Sequence, residues 1–335
     1  MVQGFAMSVD DVMWVEKYRP RKLDEVVNQK EVILSLKSLL KHTETLPHLL
    51  FSGPPGTRKT SVALCVVSEV LGPAWRSSTL ELNASDERKI EDVRQTVKQF
   101  SQIAKMGGGK TAYGFIILDE CDEMTEPAQN ALRRIMETSS RVTRFILICN
   151  YLSGIIPPIQ SRCAIFQFQR LSEEQIDSHL ARIAKNEKAE ITPDGLSQIV
   201  EGSEGDLRKA MNLLQTSVAL SKGKVDAKTV LEITHQAAPQ EIQTMLNLAI
   251  GGDFTKARNH LYQLMIKHAL PGREIVRQIH REIFQTPLLT ADQQLKAVSL
   301  LGDYDYRLVE GANEDIQLSA FLAQLARIGA EKKEP

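Results

Sequence analysis

The run Gly53-Pro54-Pro55-Gly56-Thr57-Arg58-Lys59-Thr60-Ser61 carries the residue types that bind a polyphosphate. Glycines let backbone N–H groups approach an anion, and a following helix presents the positive end of its dipole to the same charge. At this spacing Lys59 would reach the β- and γ-phosphates and the Thr60 hydroxyl would hold Mg²⁺. The pattern G-x-x-x-x-G-K-[ST] asks for glycine directly before the lysine, and this chain has Arg58 there. If that position needs a positive φ, a side chain costs about 1–2 kcal/mol. Arg58 also adds bulk where backbone nears phosphate, although its charge offsets part of that cost.

Two more peptides extend this chemistry. Phe115-Ile116-Ile117-Leu118-Asp119-Glu120 is an apolar run that ends in carboxylates. An aspartate there helps hold Mg²⁺, and an adjacent glutamate orients or polarises an attacking water. Arg144-Phe145-Ile146-Leu147-Ile148-Cys149-Asn150 is a second such run. Asn150 would stand at the C-terminal edge of its strand, where ligands of open α/β sheets bind, and would position a water or contact the γ-phosphate.

The elements that must position these groups are legible over residues 1–170. Apolar runs at 48–52, 79–83, 114–119, 144–150 and 164–168 read as buried strands of a parallel sheet, several of them apolar throughout. The stretches between them are long enough for crossover helices, which predicts an α/β domain with helices on both faces. After Leu171 the pattern becomes helical. Ser172-Glu173-Glu174-Gln175 reads as a capping box, Pro193 opens a second helix, and Gly205-Asp206 opens a third that carries Leu207, Met211 and Leu214. From Pro239 the reading is all helix, with breaks at Gly251-Gly252, Pro271-Gly272 and Pro287.

The 335 residues are too many for one ordinary core and predict two or three domains. The net charge of −1 does not announce a nucleic-acid binder, so any DNA site must be a local basic stripe. No apolar run approaches the about 18 residues that cross a bilayer, and no secretory signal opens the chain, so no membrane partner is expected. Cys65, Cys121, Cys149 and Cys163 lack metal-like spacing and read as free thiols of an intracellular protein.

Four further peptides carry a family resemblance: Trp14-Val15-Glu16-Lys17-Tyr18-Arg19-Pro20, Glu81-Leu82-Asn83-Ala84-Ser85-Asp86-Glu87-Arg88, Ser161-Arg162-Cys163 and Gly205-Asp206-Leu207-Arg208-Lys209-Ala210. In this order they resemble the small subunit of replication factor C, the clamp loader of archaea and eukaryotes, from about Val12 to Arg327. The resemblance implies a RecA-like α/β AAA+ domain over 1–170, a helical lid over 171–237 and an all-α oligomerisation collar over 238–330. It implies ATP and Mg²⁺ as ligands. Its partners would be large and small loader subunits in a pentameric ring, the sliding clamp (PCNA) and primer-template DNA. The site would be cytoplasmic in an archaeon and nuclear in a eukaryote. Val15 and Arg19 would border adenine and ribose, and Gly53 to Ser61 would wrap the phosphates. Asp119 would serve the metal, Glu120 the water, and Asn150 and Arg208 would be the two sensors. Arg162 would be an arginine finger acting on the neighbouring subunit's ATP.

A helix predicted over 86–105 places Ile90, Val93, Val97 and Phe100 on one face and Arg94 and Lys98 on another, with Arg88 and Lys89 at its start. Arg133 and Arg134 form a second basic pair on the helix after Pro127. The resemblance makes these a sequence-independent track for the DNA backbone. Three positions depart from the family: Arg58 and Lys89 stand for glycines, and Cys121 for the alanine of Asp-Glu-Ala-Asp. Arg58 leaves two readings open, a hydrolysing subunit or a scaffold that donates Arg162 with little hydrolysis of its own. An AAA+ motor of another class, such as a branch-migration helicase, is the third alternative.

Overall fold

The computed structural model describes residues 13–84, 100, 114–221, 224–234, 239–267 and 270–331. The chain forms two compact units, Met1–Lys224 and Val225–Pro335.

The first unit is built on a parallel sheet of β1 (His48–Ser52), β2 (Thr79–Asn83), β3 (Gly114–Asp119), β4 (Thr143–Cys149) and β5 (Cys163–Gln167), in the order β2-β3-β4-β1-β5. Alternate residues of the three central strands, β3, β4 and β1, feed different cores. Leu49, Phe51, Phe115, Ile117, Ile146 and Ile148 join one face. Leu50, Ile116, Leu118, Phe145, Leu147 and Cys149 join the other. Because both faces are covered, the central strands β3, β4 and β1 are apolar through their middles, as buried parallel strands require, while the edge strand β2 carries an exposed Glu81. The helix α1 (Lys59–Leu71) covers the first face with Val62, Ala63 and Val66. The helix α2 (Glu126–Ser139) covers the second with Leu132 and Met136. β4 and β5 each begin one residue before the apolar runs read from sequence, so Asn150 falls just past its strand rather than within it.

Three helices follow in the same unit: α3 (Glu173–Asn186), α4 (Pro193–Ser203) and α5 (Leu207–Leu220). The Ser172 and Gln175 side chains form the expected reciprocal capping box at the start of α3. Asp206 caps α5 by accepting the N–H of Lys209 at 3.0 Å. Ile176, Leu180, Ile183, Ile199, Leu207 and Leu214 are buried between these helices.

The second unit contains helices Ala227–Thr234, Pro239–Ile250, Phe254–Lys267, Gly272–Ile283, Ala291–Val309 and Glu314–Ala330. The noted glycines and prolines do fall at breaks: one helix stops at Ile250 before Gly251-Gly252, and Pro271 caps the next but one, while a further break after Val309, at Gly311, was not read from the sequence. Leu246, Ile275, Leu301 and Phe321 sit in its own core. Among the described residues no helix is long and apolar enough to cross a membrane.

Candidate nucleotide site

The strand order decides which loops meet. β4 lies between β1 and β3, so the loop after β4 stands between the loop after β1 and the acidic end of β3. This C-terminal edge of a parallel sheet is where open α/β folds bind ligands.

The loop after β1 is held by its own polar atoms. Thr57 Oγ1 donates to Pro54 O at 2.8 Å. Lys59, only 7% exposed, directs its ammonium at Gly53 O (2.5 Å), Pro54 O (2.8 Å) and Asn150 Oδ1 (3.1 Å). Burial pulls its pKa below the usual lysine value, with Asp119 the leading opposing influence. Gly53 and Pro54 thus contribute carbonyls to Lys59, while Pro55, Gly56, Thr57 and Arg58 line the cavity beside Lys59, Thr60 and Ser61. Gly56 has φ +72°, and a Cβ there would fall 1.9 Å from Asp206 Oδ1, so a side chain is excluded where the loop meets the cap of α5.

Thr60 Oγ1 donates to Asp119 Oδ2 at 2.7 Å. Glu120 adopts φ 56°, ψ 39°, a left-handed conformation rare for a residue with a Cβ, and its N–H donates to Asp119 Oδ1 at 2.9 Å. Both carboxylates line the same cavity, with Val15 and Arg19 on one side and Arg208 and Met211 of α5 on another. Arg19 is paired with Glu16 at 2.7 Å, and Arg208 is exposed at the cavity mouth.

Arg58 takes φ 73°, ψ 17° as the residue that caps α1, so the position does require the left-handed region and carries its cost of about 1–2 kcal/mol. The guanidinium is folded back from the loop. Its Nη1 donates to Tyr18 O at 3.2 Å, and its Nη2 lies 3.0 Å from His179 Nε2 and 3.6 Å from Met211 Sδ. Burial, then the charges of Arg182, Arg19 and Arg208, push its pKa down to about 10, so it stays cationic at neutral pH. His179 is pushed down to about 3 by burial and by Arg58 and Arg182. Arg182 Nη2 lies 3.2 Å from His179 Nδ1. A neutral imidazole has one acceptor nitrogen, so only one of these guanidiniums is hydrogen-bonded to it at a time.

Arg162 lies elsewhere. Cys163 pairs with His48, the first residue of β1, whereas the phosphate loop follows Ser52 at the other end. The length of β1, roughly 13 Å at 3.3 Å per residue, therefore separates Arg162 from the loop of its own chain. The Arg162 side chain is parked on Glu137 Oε1 at 2.7 Å and Pro158 O at 2.7 Å. Of the basic residues assigned to DNA, Arg134 is exposed on α2, and Arg133 leans on Glu137 at 3.9 Å. Arg88, Lys89, Arg94 and Lys98 lie outside the described residues.

Sequence reasoning passed over Asp122, whose Oδ2 accepts the N–H groups of Asn150 and Tyr151, both at 3.0 Å. Its signal was its place in Asp119-Glu120-Cys121-Asp122. His179 and Met211 gave no signal beyond ordinary core spacing. The cysteines are free, and burial pushes the Cys65 thiol up to about 12 and the Cys149 thiol to about 11, which keeps both neutral.

The model of the ATPase family associated with various cellular activities (AAA) matches residues 49–171, the RFC1-like AAA+ ATPase lid domain matches 173–230, and the replication factor C C-terminal domain matches 237–324. The replication factor C small subunit of Aeropyrum pernix is 49% identical over 319 residues, covering 95% of this chain and 97% of that protein. That of Sulfolobus acidocaldarius is 46% identical over 324 residues, covering 96% and 98%. Among solved structures, the Thermotoga maritima RuvB Holliday junction branch migration motor aligns with a TM-score of 0.53 at 17% identity, covering 69% of this chain and 79% of that one. That likeness extends to the fold alone, and near-full-length identity of almost half to the small subunits sets aside the branch-migration alternative. An AAA+ ATPase domain with its phosphate loop, acidic strand end and lid, followed by the C-terminal domain of the same family, makes this chain a member of the replication factor C small subunit family.

Proposed function

We propose that the chain binds Mg²⁺–ATP in the cavity between the phosphate loop and α5. In a pentameric ring with large and small loader subunits, it would use ATP binding and hydrolysis to open the sliding clamp (PCNA) and place it on primer-template DNA. In this reading residues 1–170 are the nucleotide domain, 171–237 the lid and 238–330 the collar.

The observation that carries the reading is the 2.7 Å contact between Thr60 Oγ1 and Asp119 Oδ2, with Lys59 beside it. One hydroxyl and one carboxylate suit Mg²⁺, which keeps waters and phosphate oxygens as its other ligands. Bound there, Mg²⁺ would neutralise charge on the phosphate oxygens. Lys59 would exchange its loop carbonyls for phosphate, and Glu120 would orient the attacking water. Asn150 would hold the γ-phosphate side through the contact it now makes to Lys59. Arg19, Arg58 and Arg208 give the cavity a positive lining, which suits a polyphosphate. The position of Arg162 at the far edge of the sheet supports action on a neighbour's nucleotide.

Arg58 bears on whether the subunit hydrolyses ATP itself. Its side chain is folded onto the lid and leaves the Thr60–Asp119 contact and the Lys59–Asn150 contact intact, which favours a working site over a scaffold. The test is ATP binding and turnover by this chain, alone and with partner subunits, clamp and primed DNA. Tight binding with DNA-stimulated turnover and clamp loading is expected. An assembled complex that turns over ATP yet loads no clamp would overturn the reading.

A further inference from the structure

The guanidinium of Arg58 touches three separate segments. Tyr18, whose carbonyl accepts from Nη1 at 3.2 Å, belongs to the N-terminal stretch. His179, at 3.0 Å, belongs to α3, and Met211, at 3.6 Å, to α5. Met211 is one turn after Arg208 on α5, so the two share a face of that helix. The N-terminal stretch is itself fastened to the region of the lid helices. Trp14 N–H donates to Gln215 Oε1 at 3.0 Å, Tyr18 Oη donates to Glu187 Oε1 at 2.5 Å, and Lys17 pairs with Glu187 at 2.7 Å. Arg58 is therefore where the phosphate loop joins an already connected frame.

We infer that Arg58 is a positioning residue that ties the phosphate loop to α3 and α5 through contacts made wholly within the chain, so that holding the helix bearing Arg208 over the loop does not depend on nucleotide. A glycine at this position relaxes the left-handed backbone but has no atoms with which to make the tie. The forked guanidinium is what the geometry uses: two separate nitrogens, Nη1 and Nη2, stand at Tyr18 O and at His179 Nε2, whereas a lysine has a single nitrogen to share between the two. A lid fixed in advance loses less freedom when ligand binds, so nucleotide adds less order to it.

The inference concerns the empty protein and rests on the proposed nucleotide site only for its second arm. The test is amide hydrogen exchange across residues 173–220 of the full chain, without and with ATP, for wild type, Arg58→Gly and Arg58→Lys. Arg58→Gly suits the measurement because it removes backbone strain, and a thermal unfolding control confirms that it folds. Without nucleotide, exchange in α3 and α5 is expected to rise at least tenfold in Arg58→Gly, and in Arg58→Lys as well, because charge alone does not make the fork. With ATP, protection should increase more in the variants than in wild type. Equal exchange in the empty wild type and Arg58→Gly would overturn the inference, whatever happens to ATP affinity. Wild-type exchange in Arg58→Lys would overturn the role of the fork. If none of the proteins binds ATP, the proposed nucleotide site fails while the empty-state comparison still decides this point.

Discussion

The Oδ2 atom of Asp122 accepts the backbone N–H of Asn150 at 3.0 Å, joining the turn after β3 to the loop after β4. The same oxygen accepts the N–H of Tyr151 at 3.0 Å. One carboxylate thus fixes the backbone that carries the Asn150 amide, which in turn meets Lys59. The half-buried Asn150 N–H at the end of a buried strand needs such an acceptor, because leaving a buried donor unpaired costs about 1–3 kcal/mol, whereas Tyr151 is exposed and its N–H has water to turn to.

Asp122→Ala should therefore lower the free energy of unfolding by about 1–3 kcal/mol and slow ATP turnover through misplacement of Asn150. Asp122→Asn keeps an oxygen acceptor and should retain more of both. Urea unfolding and single-turnover hydrolysis on the same preparations measure the two effects. An unchanged urea midpoint in Asp122→Ala would show that the carboxylate does not hold the loop.

Arg162 is expected to act across a subunit boundary. Arg162→Ala should leave ATP binding by the isolated chain unchanged. In an assembled complex whose other sites are disabled, turnover at the site it faces should fall on the order of 10³-fold, the scale of an arginine finger. Weakened ATP binding by the isolated variant would place Arg162 at its own site, against the sheet geometry.

His179 and His48 make stability depend on pH. Burial and neighbouring arginines push His179 down to about 3 and His48 to about 4, from the usual 6.5. In the window below pH 6.5 the unfolded chain binds protons that the folded chain refuses. Stability therefore rises with pH there; it is fully present above about 6.5 and lost as the pH falls toward 3. His48 Nδ1 accepts the N–H of Phe145 at 3.1 Å, a contact that protonation breaks. His179→Gln should flatten the acid limb between pH 6.5 and 4, as read from urea midpoints. An equally steep limb in the variant would assign the acid sensitivity to other groups.

Arg134 is exposed on α2, whereas Arg133 is partly engaged by Glu137. If α2 tracks the DNA backbone, Arg134→Ala in the assembled loader should reduce the slope of log affinity against log salt by about one contact. Arg133→Ala should change it less. Titrations with primed DNA at several salt concentrations measure this, and an unaltered slope in Arg134→Ala would remove the residue from the track.

Much of the first unit was legible because a buried parallel strand and a phosphate loop are local patterns. The five apolar runs became five strands within a residue of their read positions, and the capping box at Ser172 formed as written. Asp122 was missed because an acidic turn residue looks solvated in sequence; only the return of β4 beside β3 presents it with two N–H donors. Arg58 read as a defect in the loop. Its value of φ, 73°, bore out the conformational concern, but the direction of its side chain was not readable, since Tyr18, His179 and Met211 lie 40, 121 and 153 residues away.

The sequence by itself determined the chemistry on offer: a lysine and threonine after a glycine loop, carboxylates closing an apolar strand, and the strands and helices that carry them, because each depends on neighbours within a few residues. Only the tertiary structure decided who meets whom. Setting β4 between β1 and β3 brings Asn150 to Lys59, and parallel pairing of β5 with β1 sends Arg162 to the opposite edge. The docking of α5 closes Asp206 on Gly56 and receives Arg58. These are long-range pairings, fixed by how two apolar faces of one sheet are buried together, which no local run of residues encodes.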